Sequence, residues 1–215
     1  MAIAFVGETD GYGQPSAGSI AATAYAHATG NLLVVFVCAY QTDTTISVAD
    51  TAGNTYTSVV HSWDTDVGLF ECFYAKNITG HATNVVTATF GANKTTREIS
   101  VLEYSGCDTV SPLDTHNVSA ADAVGTAQVT AVATTNVADE VIVAGYDNAS
   151  KGTVTAGANF TARYDGTYLG TEDRIVSSTG SYGSAMTYGV SSHYLGIHAT
   201  FKIASATYSK KVIIF

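Results

Sequence analysis

The segment YLGIHATFK, from Tyr194 to Lys202, carries a histidine whose imidazole is suited to acid-base chemistry or to metal binding. Strict alternation predicts a β-strand with its large apolar residues on one face and Tyr194, His198 and Lys202 on the other. We therefore expect Tyr194 and His198 to face solvent. A role in ligand binding is the alternative interpretation for both residues.

A second histidine, His61, precedes the single tryptophan, Trp63, on the same face of a predicted strand. An exposed tryptophan can stack on a sugar ring, because its flat apolar face is combined with a polar N–H. A core position for Trp63 is the interpretation that we favour. An exposed sugar platform with His61 is kept as the alternative.

Acidic residues follow directly, in DTDVG, where Asp64 and Asp66 have the spacing that opens an EF-hand loop. The third ligand position is Gly68 and the twelfth is Ala75, so the remainder of that motif is missing. We expect a polar hairpin turn, with a looser calcium site formed by Asp64, Asp66 or Asp50 as the alternative. No other cofactor is expected, since the histidines and cysteines show no zinc-binding spacing.

Motifs for covalent catalysis are missing as well. GSYGS, Gly180 to Ser184, lacks the G-x-S-x-G pattern of a nucleophile elbow and is predicted to be a glycine-rich loop. Glu71 and Glu103 would form a glycosidase pair only if their strands were neighbours. We expect them to be solvated or hydrogen-bonded sheet residues, and we expect that the protein is not an enzyme.

Composition limits the partners and the compartment. A net charge of −9 would repel phosphate backbones, which argues against nucleic-acid binding. The longest apolar run, LLVVFVCAY from Leu32, is too short to span a membrane. If Met1 is the native start, the chain lacks a signal peptide and is a cytoplasmic product; if a signal peptide was removed, it is extracellular or on the cell surface. Three scattered cysteines indicate buried free thiols.

The 215 residues include 20 glycines and only 2 prolines, and are rich in threonine, valine and tyrosine. Helical periodicity is almost missing, and short strands alternate with turn signals such as ADTAGNTY. We predict an all-β fold, a two-sheet antiparallel β-sandwich of jelly-roll type, without an internal repeat and with LLVVFVCAY as a central strand. A single domain covers residues 1–215, with 1–30 an extended N-terminal segment and 209–215 an apolar C-terminal tail. The stretch from Ser105 to Asn136 is predicted to be irregular.

That tail ends in Val212, Ile213, Ile214 and Phe215 after two lysines. An unpaired apolar strand at a terminus promotes aggregation, so we expect it to be paired. It forms either the last strand of its own sheet or an assembly contact with a neighbouring subunit.

Several segments occur in an order that resembles β-sandwich modules of tailed-phage virion proteins and of bacterial surface proteins. They are DTAGNTY, FYAKNITG, REISVLEYSG, SPLD, DEVIVAGY and the closing HATFK. The resemblance covers roughly Asn31 to Lys202, and it implies the fold more strongly than the function.

This resemblance implies a non-enzymatic structural protein of a bacteriophage particle, such as a capsid decoration, head-fibre or tail component. Such a protein would be assembled in the host cytoplasm, form homo-oligomers, and contact other virion proteins such as the major capsid protein. The apolar surface of LLVVFVCAY and the C-terminal tail would provide those contacts. The alternative function is a carbohydrate-binding or adhesive module that contacts host-surface glycans. A glycan hydrolase using Glu71 and Glu103 is a third hypothesis.

Overall fold

The computed structural model describes residues 2–121, 127–149, 152 and 154–205, and the described residues form strands and no helix. No helix among them is long and apolar enough to cross a membrane. The strands are β1 (Ala4–Gly13), β2 (Ala17–Ala21), β3 (Tyr25–His27), β4 (Leu32–Ala39), β5 (Ile46–Asp50), β6 (Thr57–Asp64), β7 (Gly68–Ala75), β8 (His81–Asn84), β9 (Val86–Lys94), β10 (Arg97–Ser105), β11 (Leu113–Ala121), β12 (Ala127–Thr135), β13 (Glu140–Asn148), β14 (Val154–Thr155), β15 (Thr161–Asp165), β16 (Leu169–Val176), β17 (Gly180–Tyr188) and β18 (Tyr194–Lys202).

Two five-stranded antiparallel sheets lie at the centre. The first inner sheet has the order β1-β10-β4-β7-β6, and the second inner sheet has the order β11-β18-β13-β16-β15. Their facing sides share one apolar core, in which Phe36 and Leu102 meet Val143 and Phe201. Burying a side chain of this size contributes about 1.5–3 kcal/mol, so this core ties the two sheets together.

Each inner sheet is covered on its other side by a three-stranded outer sheet. The first outer sheet, β2-β9-β5, packs Val86 and Phe90 against Val35 and Val101 of the first inner sheet. The second outer sheet, β12-β17-β14, packs Met186 and Tyr188 against Tyr146 of the second inner sheet. Strand β4 is apolar at every position because a sheet covers each of its faces.

The two halves of the chain have the same topology. The inner sheets correspond strand by strand: the order β1-β10-β4-β7-β6 of the first matches the order β11-β18-β13-β16-β15 of the second. The outer sheets correspond in the same way, β2-β9-β5 to β12-β17-β14. Strand β1 faces β15, β10 faces β16, and β4 faces β13, so the strand order is reversed across the central core. This is the relationship that a twofold axis parallel to the strands would produce.

The predicted all-β antiparallel sandwich is confirmed, with four main sheets where we had predicted two. LLVVFVCAY contains a central strand as predicted, but its apolar residues Leu32–Ala39 are buried within their own chain, so their expected role as an exposed subunit contact is wrong. Tyr40, at the end of the segment, is exposed. Residues 180–184 begin strand β17, so the predicted glycine-rich loop is wrong too. The stretch predicted to be irregular contains β11 and β12.

The predicted N-terminal segment 1–30 contains β1, β2 and β3, each paired in a sheet. The apolar residues Val212, Ile213, Ile214 and Phe215 lie outside the described residues, and their assembly role stays a prediction. The three cysteines are free and buried, as predicted.

Candidate functional site

His61 lies between two carboxylates at the edge of the first inner sheet. It stands on β6, the edge strand, directly opposite Glu71 on β7. Its Nδ1 is 2.9 Å from Glu71 Oε2, and its Nε2 is 2.8 Å from Asp43 Oδ1. Ser58 Oγ donates to the second oxygen of Glu71 at 2.6 Å. The cluster therefore joins two strands to the loop that follows β4.

Partial burial lowers the pKa of His61, but the hydrogen bonds and charges of Glu71 and Asp43 outweigh burial, so the pKa is raised. Both ring nitrogens lie within hydrogen-bonding distance of a carboxylate, and only an imidazolium can donate from both. Ser58 donates to Glu71 and not to His61, so these contacts do not form a serine–histidine relay.

The loop that carries Asp43 is also held by a lysine of the first outer sheet, a second cationic residue in addition to His61. The ammonium of Lys94, which is buried, donates to the carbonyl of Thr42. Farther along, the amide of Gly91 donates to the carbonyl of Thr45 at 2.9 Å. Both contacts come from β9 of the first outer sheet. The loop thus bridges the inner and outer sheets of the first half.

An open cavity of about 480 Å³ lies against this cluster. Its lining consists of Asp43, Thr44, Thr45, Ile46, His61 and Glu71. Carboxylates, hydroxyls and an imidazole around one open space suit a ligand with several hydroxyl groups, because each of these groups can accept or donate a hydrogen bond.

Trp63 is 43% exposed, so the core position that we favoured for it is wrong. It lies two residues after His61 on β6, and the pleat of a strand places both side chains on one face. The sequence signal for this exposure was weak, because an edge strand and a covered strand have similar composition.

His198 and Tyr194 are buried, so the expectation that they face solvent is wrong. The alternation of β18 is as predicted, but the second outer sheet covers the polar face. His198 Nδ1 is 2.9 Å from Ser184 Oγ of β17 in that sheet. Neither Tyr194 nor His198 belongs to the His61 cavity lining.

Asp64 and Asp66 form the turn between β6 and β7. Asp64 Oδ1 accepts the amides of Asp66 at 2.8 Å and Val67 at 3.2 Å, which is the hydrogen bonding of an Asx-turn. Asp66 Oδ2 lies 3.7 Å from His193 Nδ1. No group of three potential metal ligands occurs within the described residues. Calcium binding by Asp64 and Asp66 stays a prediction.

Glu71 and Glu103 lie on the same sheet face but not side by side. Glu103 is opposite Leu33 and Glu71 is opposite Val37, with β4 between their strands. Four residues along a strand amount to about 13 Å, more than the roughly 5–9.5 Å that separates a glycosidase pair. As expected, both are hydrogen-bonded: Glu103 Oε1 accepts the Ala28 amide at 2.9 Å and Asn31 Nδ2 at 2.6 Å.

Comparison of this chain with protein-family models, with curated proteins and with solved structures finds no match.

Proposed function

We propose that this chain is a non-enzymatic binding module that holds a neutral carbohydrate at the His61 cavity, with Trp63 as the stacking platform. The observation that carries the proposal is the 43% exposure of Trp63 on the strand face that also presents His61. Trp63 is not part of the cavity lining, but it lies two residues along β6 from His61, roughly 7 Å away, so a sugar stacked on its ring can extend into the cavity. The aromatic ring and the hydroxyl and carboxylate groups of the lining would then match the two surfaces of a pyranose, its apolar C–H face and its polar rim.

The charges around the cavity favour a neutral sugar. Asp43 and Glu71 are balanced by the imidazolium of His61 and by Lys94 under the loop. Sialic and uronic acids would bring an anion close to two carboxylates in a chain whose net charge is −9. Neutral hexoses or their oligomers therefore fit this site better than acidic glycans.

The role in a bacteriophage particle, with contacts to the major capsid protein and to further copies of this chain, stays a prediction. One of its expected contact surfaces, strand β4, is buried, and the other lies outside the described residues. The carbohydrate proposal rests on described residues. It is compatible with a virion or a cell-surface location.

Fluorescence titration with neutral and acidic glycans tests the proposal, because Trp63 is the only tryptophan in the chain. We expect a neutral glycan to change the emission of Trp63 and to bind in calorimetry. Trp63→Ala should remove most of that affinity, since an aromatic platform contributes about 0.5–1.5 kcal/mol beyond its area.

A matched control is Tyr12→Ala, which removes an aromatic of nearly equal exposure, 44%, from another strand. It should leave glycan binding unchanged. Glycan binding that survives Trp63→Ala and Asp43→Asn in full, or no binding across the panel, would refute the proposal.

A further inference from the structure

A second cleft lies where the two inner sheets end together. Strands β4 and β13 run in the same direction, since Phe36 packs at Gly145 and Cys38 lies beside Asp147. Beyond these pairs the sheets leave a cleft of about 240 Å³. Both halves contribute to its lining, which consists of Cys38, Ala39, Tyr40, Asp66, Val67, Thr96, Asp147, Ala149 and Tyr168.

Asp147 is the buried polar group of this cleft. Its side chain is almost fully buried beside the Cys38 thiol, while the main-chain amide of Asn148 donates to the carbonyl of Tyr168 at 3.1 Å. Burial and the charges of Asp147 and Glu98 raise the pKa of the thiol, so Cys38 keeps its proton and can donate it to the carboxyl. A thiol is a weak donor, which leaves Asp147 poorly compensated for its loss of water.

Two tyrosines complete the cleft. Tyr40 follows β4 and is 51% exposed, and Tyr168 comes from the turn before β16 in the second half. That turn is fixed by Glu98 of the first half, whose Oε2 accepts the amides of Tyr168 at 2.8 Å and Leu169 at 2.9 Å. The position of Tyr168 is therefore set by the contact between the two halves.

The described side chains that line this cleft include acidic groups but no basic ones. Asp66 and Asp147 are acidic, and among its described residues there is no lysine, arginine or histidine. Aromatic rings beside carboxylates form the kind of site that holds ammonium groups, because the ring face attracts a cation and a carboxylate neutralises it. Anions would be repelled from such a cleft.

We propose that this cleft is a second binding site, distinct from the His61 cavity, that takes a small organic cation such as an alkylammonium or quaternary ammonium group. The ammonium lies at Asp147, with Tyr40 and Tyr168 against its alkyl groups. The volume is below the roughly 300 Å³ at the lower end of drug-sized pockets, so the ligand is a small molecule or the end of a longer chain.

Binding of a cation at Asp147 is coupled to a proton. Burial raises the pKa of Asp147 well above the usual range; the Cys38 thiol opposes this and the charge of Glu98 adds to it. A bound ammonium favours the carboxylate, so binding releases protons and strengthens as the pH rises. The titratable groups around Asp147 are Cys38 on β4, Glu98 on β10, Asp66 and Tyr168 in the turns, and Tyr188 on β17. His193 lies next to this group, with its Nδ1 3.7 Å from Asp66 Oδ2.

The test compares choline with its uncharged isostere, 3,3-dimethyl-1-butanol, by calorimetry and saturation-transfer NMR on the full chain. We expect choline to bind, the isostere to bind at least about tenfold more weakly, and choline affinity to increase from about pH 6 to about pH 8. Asp147→Asn should weaken choline binding about tenfold or more, because it removes the carboxylate charge that attracts the quaternary ammonium in a buried site.

Tyr40→Ala is the second variant, since Tyr40 is half exposed and its loss should not disturb folding. It should weaken choline binding about two- to fivefold. Glu8→Gln, a half-buried carboxyl outside the cleft, is the matched control and should bind choline normally, as should Trp63→Ala. Equal binding of the isostere, undiminished choline binding in Asp147→Asn and Tyr40→Ala, or no choline binding at millimolar concentrations would overturn the proposal.

Discussion

Phe36 of the first half occupies the space that a side chain at position 145 would need. A Cβ placed on Gly145 would come within 2.5 Å of Phe36 Cδ1, and Phe36 is fully buried in the central core. The two inner sheets approach each other closely here because one of the facing residues is a glycine.

Gly145→Ala should therefore destabilise the protein by about 1–3 kcal/mol, the usual cost of overpacking a core. Urea denaturation measures the change in the free energy of unfolding. Gly183→Ala is the matched control, since nothing lies within 4 Å of a Cβ at that position. Equal stability of the two variants would contradict the packing described for Phe36.

Glu98→Gln should also be destabilising, by about 3 kcal/mol. One carboxylate oxygen of Glu98 accepts Tyr164 Oη and the Thr167 amide, and the other accepts the amides of Tyr168 and Leu169. A glutamine would direct its own N–H groups at two of these donors. Faster hydrogen exchange at residues 167–169 should accompany the loss, and an unchanged exchange pattern would count against this role of Glu98.

Stability should increase as the pH falls from about 8 to about 5. Burial raises the pKa of Glu8 and of Glu140 to about 7, and nearby Asp10 and Asp114 add to this effect, respectively. A carboxyl whose pKa is higher in the folded state binds its proton more tightly there than in the unfolded chain. Its protonation below about pH 7 therefore raises the free energy of unfolding, and this contribution is lost as the pH rises above 7. The shift of each carboxyl from 4.5 to about 7 corresponds to about 3 kcal/mol when complete, and solvent screening makes the contribution of the partly exposed Glu8 smaller.

Histidines modify this profile. The raised pKa of His61 acts in the same direction, and the pKa of His27, lowered by burial, acts in the opposite direction below about 6.5. Asp147 and Glu172, whose pKa values burial also raises, act in the same direction as Glu8 and Glu140. Replacing both Glu8 and Glu140 by glutamine should therefore make the stability profile measured by urea denaturation between pH 5 and 8 less steep. A profile as steep as that of the parent protein would exclude these two carboxyls as its cause.

Thiol reagents should react slowly with the folded protein. Cys38, Cys72 and Cys107 are buried, and burial raises the pKa of each thiol, to about 12 for Cys107. Dithionitrobenzoate should label none of them rapidly under native conditions and all three in denaturant. Rapid labelling of one thiol would contradict this packing and show that the segment around that cysteine opens locally.

Local sequence carries most of the strand information and little about which sheet covers which face. The apolar run of β4 predicted a central strand because both of its faces need covering. The alternation of β18 was equally clear, yet His198 is buried because β17 lies over it. The composition of β17, GSYGSAMTY, is small and polar, so it gives no sign of the buried Ser184, Met186 and Tyr188.

Long-range contacts were the main part of the site that the sequence did not predict. Asp43 lies in the β4–β5 loop and contacts His61 on β6. Asp147 contacts Cys38 only because the two halves face each other. The repeat itself was missed because loops of unequal length separate strands with few shared residues. LLVVFVCA and EVIVAGYD occupy matching positions with a similar pattern, the signal that could have revealed it.

The arrangement of the two halves one after the other along the chain also determines the order in which their strands are synthesised. Residues 4–105 supply every strand of the first inner and outer sheets, so a ribosome delivers all of them before β11 emerges. The side of the first inner sheet that carries Phe36 and Leu102 must then remain in water until β13 and β18 have been synthesised. During that interval the nascent chain exposes an apolar surface that only the second half of the chain covers in the folded protein.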